Sequence, residues 1–225
     1  MAKVLVVVAH ADDEALGCGA TIAKHAANGD DITLLVMTDG VSARNSVDNL
    51  VNNGLVKQRE SALQKSCKVL GVTTVLQCNF PDNRMDSVDL LSIVQKIEKE
   101  TKGQVINIIY THALNDLNVD HQLTAQAVLT AFRPLPDSKV QTILSFEVLS
   151  STEWQFSQQP FIANWFVDVS DFYQKKVAAL TCYQEEMRDC PHPRSYIAVE
   201  SQARLRGSTI GKEYAEAFQL LRHSH

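Results

Sequence analysis

Residues 4–29 read VLVVVAHADDEALGCGATIAKHAANG. The segment opens with apolar, largely β-branched residues, passes through a polar turn, and continues in a helical pattern that ends at Gly29. Because β-branched residues favour strands and glycine commonly ends helices, the order predicts a buried strand followed by a helix. Such a unit is typical of the start of an α/β fold.

The same alternation continues along the first 150 residues. Further strands are predicted at residues 32–37, 74–78 and 105–110, and helices at residues 55–70, 87–102 and 120–132. Strands and helices that alternate at this spacing indicate a parallel sheet with helices on both faces. We therefore expect a Rossmann-like α/β fold with a mainly parallel sheet.

The last third of the chain is less regular. Its patterns predict strands at residues 142–149 and 165–169 and helices at residues 172–187 and 201–222. No linker, repeat or low-complexity tract separates this part from the rest. We expect a single domain over residues 1–225, in which a core at 1–150 is completed by a C-terminal portion at 151–225.

The composition excludes several classes of protein. Hydrophobic residues make up 45% of the chain and charged residues 21%, as in folded globular proteins. A formal net charge of −5 argues against non-specific nucleic-acid binding, which needs a basic surface. The apolar run at residues 4–8 is far shorter than the roughly 20 residues of a membrane span. We expect a cytoplasmic protein without nucleic-acid or membrane partners, and a homo-oligomer is compatible with the sequence.

A dense polar cluster, His10-Ala11-Asp12-Asp13-Glu14, follows the first strand. Parallel sheets bind ligands at the carboxyl ends of their strands, where this cluster falls. One aspartate could cap the helix and Glu14 could favour the helix dipole, but these roles explain only part of the crowded charge. A cation would compensate it, and histidine with aspartate suits a catalytic zinc site. His10 and Asp13 could therefore converge on one ion.

The glycines that follow, in Gly17-Cys18-Gly19, raise the alternative of a dinucleotide site. That fingerprint places its glycines in the turn itself and a third glycine three residues later, where this chain has Ile22. We interpret the two glycines instead as positions that let the helix approach the sheet closely.

A second polar stretch, THALNDLNVDH, occupies residues 111–121 between the fourth strand and its helix. It lies again at the carboxyl end of a strand, and His121 at its end could supply a third metal ligand. In the alternative interpretation, Asp120 caps the helix and His121 is an exposed residue of the first turn.

These segments resemble the PIG-L (LmbE-like) family of zinc-dependent de-N-acetylases. The resemblance rests on AHADDEALGCGATIAKH, TDG, FPDNR, DLNVDH and AFRP, in this order over most of the first 135 residues. SSTEW at 150–154 and PHPRS at 191–195 resemble a bacterial branch associated with surface-polysaccharide sugars. The resemblance implies a single LmbE-like deacetylase domain. It also implies removal of an acetyl group from an N-acetylated amino sugar, such as N-acetylglucosamine or a nucleotide-linked conjugate.

The resemblance also implies a metal centre with one zinc ion per chain. Its ligands would be His10, Asp13 and His121, and Asp12 would be the general base. Zinc in such a site lowers the pKa of a water to roughly 7. Asp12 would take the proton of that water.

Four residues are candidates for binding the substrate. Arg59 and Asp82 match family positions that bind hydroxyl or phosphate groups, although a solvated helix residue and a turn residue are the plainer interpretations. Arg44 and Arg194 could meet a phosphate of the substrate, although arginine is also a common surface residue.

Two positions depart from the family pattern. Ala11 replaces the usual proline, which affects the stiffness of the turn. Asn118 replaces a histidine that polarises the carbonyl or protonates the leaving amine, and an amide cannot deliver a proton. Asn118 is therefore a candidate oxyanion donor, and the proton must come from Asp12 or His112. We expect Asp120 to orient a histidine through its ring N–H.

Two other classes of function are compatible with these residues. A metal-dependent phosphoesterase could use a carboxylate–histidine site, although two-metal enzymes need more bridging carboxylates than the sequence shows. A non-catalytic sugar- or nucleotide-binding module would have no reason to keep Asp12.

Overall fold

The alternation of strands and helices is present in the computed structural model, which describes residues 1–40, 49–156 and 159–224. In chain order, the elements are β1 (Lys3–Val8), α1 (Asp13–Ala27), β2 (Asp31–Thr38), α2 (Asn49–Leu70), β3 (Thr74–Phe80), α3 (Leu90–Glu100), β4 (Ile108–His112), α4 (Val119–Ala131), β5 (Thr142–Phe146), β6 (Trp165–Asp168), α5 (Tyr173–Leu180), α6 (Tyr196–Thr209) and β7 (Ala215–His223). Short 3₁₀ turns lie at Met85–Ser87, Thr152–Trp154 and Thr181–Tyr183.

The strands form one seven-stranded sheet in the order β3-β2-β1-β4-β5-β7-β6. Strands β1 to β5 run parallel to one another, whereas β7 is antiparallel to both of its neighbours. The predicted Rossmann-like α/β class with a mainly parallel sheet is therefore confirmed.

Helices cover both faces of the sheet, and alternate residues of β1 enter two different cores. Val4 and Val6 pack with residues of α1, α2 and α5, whereas Leu5 and Val7 pack with residues of α3 and α4. Burial on both faces is the reason that β1 reads as an unbroken apolar run. Within the described ranges, each helix is too short or too polar to cross a bilayer.

The C-terminal helix predicted at 201–222 is wrong over most of its length. Helix α6 ends at Thr209, and Ala215–His223 forms a strand between β5 and β6. Alanine, glutamate, glutamine and leucine give this segment a high helix propensity. Backbone pairing on both sides outweighs that local preference, as it commonly does for strands. The helix predicted at 172–187 is likewise shorter, because α5 ends at Leu180.

The strand order reverses between β1 and β4, since β2 and β3 continue on one side and β5 on the other. Such a switch point leaves a crevice at the carboxyl ends of the two central strands. His10 follows β1 by two residues, and His112 is the last residue of β4. The fold therefore brings the two polar stretches together.

Candidate metal centre and active site

Three side chains that are distant in sequence meet at this switch point. His10 Nδ1 lies 3.2 Å from Asp13 Oδ2 and 3.2 Å from His121 Nε2. Asp13 Oδ2 lies 3.3 Å from His121 Nε2. A tetrahedral zinc ion with bonds of about 2.0 Å holds its ligand atoms about 3.3 Å apart. The residue types and the spacing of these three atoms therefore fit a zinc ion.

The electrostatics of this cluster favour a cation. Burial raises the pKa of Asp13, but the neighbouring His121 and the hydrogen bond with His10 outweigh it and hold that pKa well below its usual range. Burial lowers the pKa of His121, but Asp13 and Asp116 outweigh it and raise that pKa to about 9. Asp13 Oδ1 is buried without a hydrogen-bond partner among the described residues. Imidazoles drawn towards their charged form mark a site with an excess of negative charge.

Asp120 lies behind His10, on the side away from Asp13. Its Oδ2 is 3.1 Å from His10 Nε2. The carboxylate also accepts the backbone N–H groups of Asn83, at 2.7 Å, and Met85, at 3.0 Å. A carboxylate fixed in this way can set the tautomer and the direction of a ligating imidazole.

Asp116 has the same relation to His121 and was missed by the sequence analysis. Its Oδ1 lies 3.2 Å from His121 Nδ1. The hydroxyls of Ser151 and Thr152 donate to its carboxylate, as does the backbone N–H of Asn118 at 2.8 Å. The sequence shows Asp116 only as a loop aspartate, because its partners come from the segment that follows β5.

Asn118 begins α4 as its N-cap. Its Oδ1 accepts the backbone N–H groups of Asp120 at 2.8 Å and His121 at 3.4 Å. The helix is thus capped by Asn118 rather than by Asp120, and His121 is buried rather than exposed. Asn118 Nδ2 donates to Asn83 Oδ1 at 3.1 Å and, as an amide nitrogen, carries a second N–H.

His112 is fully buried beneath the cluster. Its ring stacks on His121 with centroids 3.9 Å apart, and its Nε2 accepts the backbone N–H of Ala9 at 2.9 Å. Burial and the nearby His121 lower the pKa of His112 to about 4. A neutral, enclosed imidazole is poorly placed to give a proton to a group outside the cluster.

Asp12 lies next to the cluster in a strained backbone conformation. Its φ of 123° and ψ of −27° fall outside the regions that non-glycine residues favour. Its N–H donates to Glu14 Oε2 at 3.0 Å, and its Oδ2 accepts from Arg194 Nη1 at 2.8 Å. Burial raises the pKa of Asp12, and Arg194 opposes that shift. Strain that neighbours hold in place is common at functional positions.

A pocket of about 90 Å³ opens beside the cluster. Its lining consists of His10, Asp12, Gly40, Arg59, Asp82, Asn83, Asn118, Glu186 and Arg194. Three of the predicted substrate-binding residues, Arg59, Asp82 and Arg194, thus face one pocket. The fourth, Arg44, lies outside the described residues.

The two arginines of the pocket are held by carboxylates. Arg59 Nη2 donates to Glu186 Oε1 at 2.8 Å, and its Nη1 donates to the backbone oxygen of Ala11 at 3.2 Å. Arg194 is bonded to Asp12 and lies 3.8 Å from Glu186 Oε2. Glu186 was also missed, because the sequence shows it only as one of two adjacent glutamates.

A second group of three side chains could hold a metal and shares His10 with the first. His10 Nε2 lies 3.2 Å from Asp82 Oδ1 and 3.1 Å from Asp120 Oδ2. Two-metal phosphoesterases hold their ions about 3.5–4 Å apart. Here the two groups share one imidazole through different nitrogens, which would hold two ions farther apart than that. The described residues therefore fit one ion better than a two-metal phosphoesterase centre.

Known proteins share this sequence pattern over most of the chain. The family model PIG-L: GlcNAc-PI de-N-acetylase matches residues 5–132. The uncharacterized deacetylase YaiS of Escherichia coli K12 is 29% identical over 181 residues, which cover 79% of this chain and 88% of YaiS. The diacetylchitobiose deacetylase of Thermococcus kodakarensis is 26% identical in an alignment that covers 97% of this chain and 83% of that protein.

A solved structure shares the fold. The N,N'-diacetylchitobiose deacetylase from Pyrococcus horikoshii matches with a TM-score of 0.77 and 20% sequence identity, covering 98% of this chain and 84% of that one. The family model covers more than half of the chain and includes both polar stretches of the candidate site. The chain therefore belongs to the PIG-L family of de-N-acetylases.

Proposed function

We propose that this protein is a zinc-dependent hydrolase that removes the acetyl group from an N-acetylated amino sugar. Membership of the PIG-L family makes the chain an amide hydrolase of the de-N-acetylase type. One observation supports the proposed zinc site: His10 Nδ1, Asp13 Oδ2 and His121 Nε2 lie 3.2–3.3 Å from one another. These three residues would hold one zinc ion per chain beside a polar pocket, which His10 also lines.

Asp12 is the proposed general base. Zinc, when bound, polarises the amide carbonyl and makes a water easier to deprotonate. Asp12 lines the pocket beside the proposed ligands without being one of them, so its carboxylate is available to take the proton of the attacking water. A positioned base typically contributes on the order of 10²–10⁴ in rate. Asp12 then returns this proton to the nitrogen of the leaving amine.

Asn118 is the proposed second donor to the oxyanion. Its Nδ2 reaches the pocket lining and uses one N–H for Asn83. The remaining N–H can stabilise the negative charge that develops on the acetyl oxygen. Because Asn118 also caps α4, this donor is fixed relative to His121, which lies in the first turn of the same helix.

The charges of the pocket favour a neutral sugar over a nucleotide-linked one. Arg59 is paired with Glu186 and Arg194 with Asp12, so a carboxylate already compensates the charge of each of these two arginines. Asp82, which is buried in the lining, would repel a phosphate but can accept a hydroxyl of a sugar. A relative that covers 97% of this chain is a diacetylchitobiose deacetylase, which supports an uncharged N-acetylglucosamine unit as the substrate.

A primary-amine release assay tests this proposal. The substrates are N-acetylglucosamine, diacetylchitobiose and UDP-N-acetylglucosamine, each with protein as isolated, after chelation, and after zinc is restored. We expect amine release from a neutral sugar that disappears on chelation and returns with zinc. Protein with stoichiometric zinc that releases amine from none of the three would contradict the proposed substrate class. Cleavage of UDP-N-acetylglucosamine to UMP and N-acetylglucosamine 1-phosphate, without amine release, would favour the phosphoesterase alternative.

A further inference from the structure

Helix α1 is broken in its middle. Cys18 has a φ of −145° and a ψ of 25°, so α1 consists of two helical pieces that meet at a kink. A break of this kind leaves carbonyl groups before it and N–H groups after it without helical partners. In a buried helix such groups need other partners.

A buried ion pair from the C-terminal third supplies these partners. Lys176 Nζ, from α5, donates to the backbone oxygen of Leu16 at 2.7 Å. Glu216, from β7, accepts the backbone N–H of Ala20 through Oε1 at 3.2 Å and that of Thr21 through Oε2 at 2.7 Å. Lys176 thus caps the end of the first helical piece, and Glu216 caps the start of the second.

Both charged side chains are buried, and they bond to the backbone at the break and to each other. Lys176 is 3% exposed and Glu216 is 5% exposed, and they bond to each other at 2.7 Å. Buried ion pairs are unfavourable unless further hydrogen bonds satisfy each charge, and both partners have such bonds here. Neither residue has a task in the proposed reaction, so their burial needs another explanation.

The helical piece before the break carries part of the candidate metal centre. It begins at Asp13, directly after Asp12, and it passes close to β5. A Cβ atom on Gly17 would lie 2.3 Å from Phe146 Cδ2. The direction of this short piece therefore determines where Asp13 Oδ2 lies relative to His121 Nε2.

We propose that the Lys176–Glu216 pair is a positioning device for the metal centre, which holds the break in α1 and thereby fixes Asp13 against His10 and His121. The proposal rests on the proposed function in so far as it treats Asp13 as a metal ligand. Both residues lie beyond the family match at residues 5–132, so the pair adds a second contribution of the C-terminal third to that of Glu186 and Arg194 in the pocket.

The test is the double variant Lys176→Met/Glu216→Gln, which removes both charges and leaves neither unpaired. Zinc affinity is measured by competition with a chromophoric chelator, and amide hydrogen exchange of residues 13–21 is measured in zinc-free protein. The control is Asp30→Asn, which neutralises the carboxylate 2.8 Å from His25 Nδ1 near the other end of α1. Chemical denaturation reports the stability of each variant.

We expect the double variant to lose about 10–100-fold in zinc affinity, the effect usual for partners that orient ligands, and to exchange faster at residues 13–21. Asp30→Asn should keep zinc affinity within about twofold of wild type, because its contact is remote from the break. Unchanged affinity and exchange in the double variant, or an equal loss in both variants, would overturn the proposal.

Two further outcomes separate this proposal from the proposed function. If the wild-type protein binds no zinc, the metal assignment fails, and hydrogen exchange alone decides whether the pair holds the break. If the double variant does not fold, the amides of Ala20 and Thr21 are measured in wild-type protein. They should exchange as slowly as that of Ala23, and rapid exchange of both amides in the folded protein would overturn the proposal.

Discussion

Asp12 has a positive φ, a backbone conformation that residues with a Cβ atom disfavour. A strained conformation of this type costs about 1–3 kcal/mol and persists only where the surroundings impose it. Glu14 accepts the N–H of Asp12, and Arg194 donates to its carboxylate, so both ends of the residue are fixed. The position of this carboxylate is therefore maintained against a local preference of the chain.

Replacing Asp12 by asparagine should separate metal binding from turnover. The amide oxygen can still accept from Arg194, but it cannot take a proton from water. We expect Asp12→Asn to keep stoichiometric zinc and to lose at least about 100-fold in kcat. Metal analysis and the amine-release assay on the same preparation measure both quantities. Near-wild-type turnover would remove Asp12 from the role of general base.

Replacing Asp116 by asparagine should weaken metal binding through His121. A neutral amide holds the ring N–H of His121 less firmly than the buried carboxylate 3.2 Å away. We expect a loss of about 10–100-fold in zinc affinity, measured by chelator competition. Asp86→Asn, at an exposed aspartate in a 3₁₀ turn, is the matched control and should bind zinc like wild type. Equal affinity in the two variants would contradict the orienting role of Asp116.

At the scale of the element, the two glycines of α1 have different surroundings. A Cβ on Gly17 would collide with the ring of Phe146, whereas one on Gly19 would lie 3.5 Å from Lys176 Cγ, an ordinary contact. Close approach of the helix to β5 thus depends on Gly17, as the sequence predicted, whereas Gly19 faces Lys176 of α5 and Leu70 of α2 rather than the sheet. Phe146 in turn packs edge-on against His112, with centroids 4.9 Å apart.

Alanine at these two glycines should therefore change stability in opposite directions. Gly17→Ala overpacks a filled core and should lower the free energy of unfolding by about 1–3 kcal/mol. Gly19→Ala reduces the freedom of the unfolded chain without a collision and should raise that free energy by up to about 1 kcal/mol. Urea denaturation measures both changes. Changes of the same sign would contradict the surroundings described for these positions.

At the scale of the whole molecule, β7 joins the C-terminal third to the parallel sheet. It pairs with β5 on one side and β6 on the other, and its Phe218 is fully buried. It also carries Glu216, which caps the second piece of α1. The sheet and the break in α1 therefore both involve the last strand of the described residues.

Removal of residues 211–225 should abolish folding of the whole domain. The deletion would leave β5 without its antiparallel neighbour, expose its edge to aggregation, and leave Lys176 buried without its carboxylate partner. Removal of residues 224–225 alone is the control. We expect the chain without residues 211–225 to show no cooperative thermal unfolding by circular dichroism. The chain without residues 224–225 should unfold like wild type. Cooperative unfolding of the shorter chain would show that β7 is dispensable.

The sequence by itself determined the parallel core and the two polar stretches at its carboxyl edge. Strands buried on both faces have continuous apolar sequences, and several of the helices between them end at glycines. Both patterns lie within short stretches of the sequence and can be recognised there. The crowding of charge at His10–Glu14 is local as well, and with His121 it suggested a metal site whose ligand and catalytic roles stay predictions.

Only the tertiary structure showed that β7 is a strand, which residues contact the proposed metal ligands, and which residues line the pocket. Asp12 and Arg194 are 182 residues apart in the chain, and Thr21 and Glu216 are 195 apart. Secondary-structure propensity depends on a few neighbouring residues in the sequence, whereas burial and backbone pairing depend on segments that meet only after folding. For this reason the segment predicted as a helix up to residue 222 overlaps Ala215–His223, which forms a strand between two others.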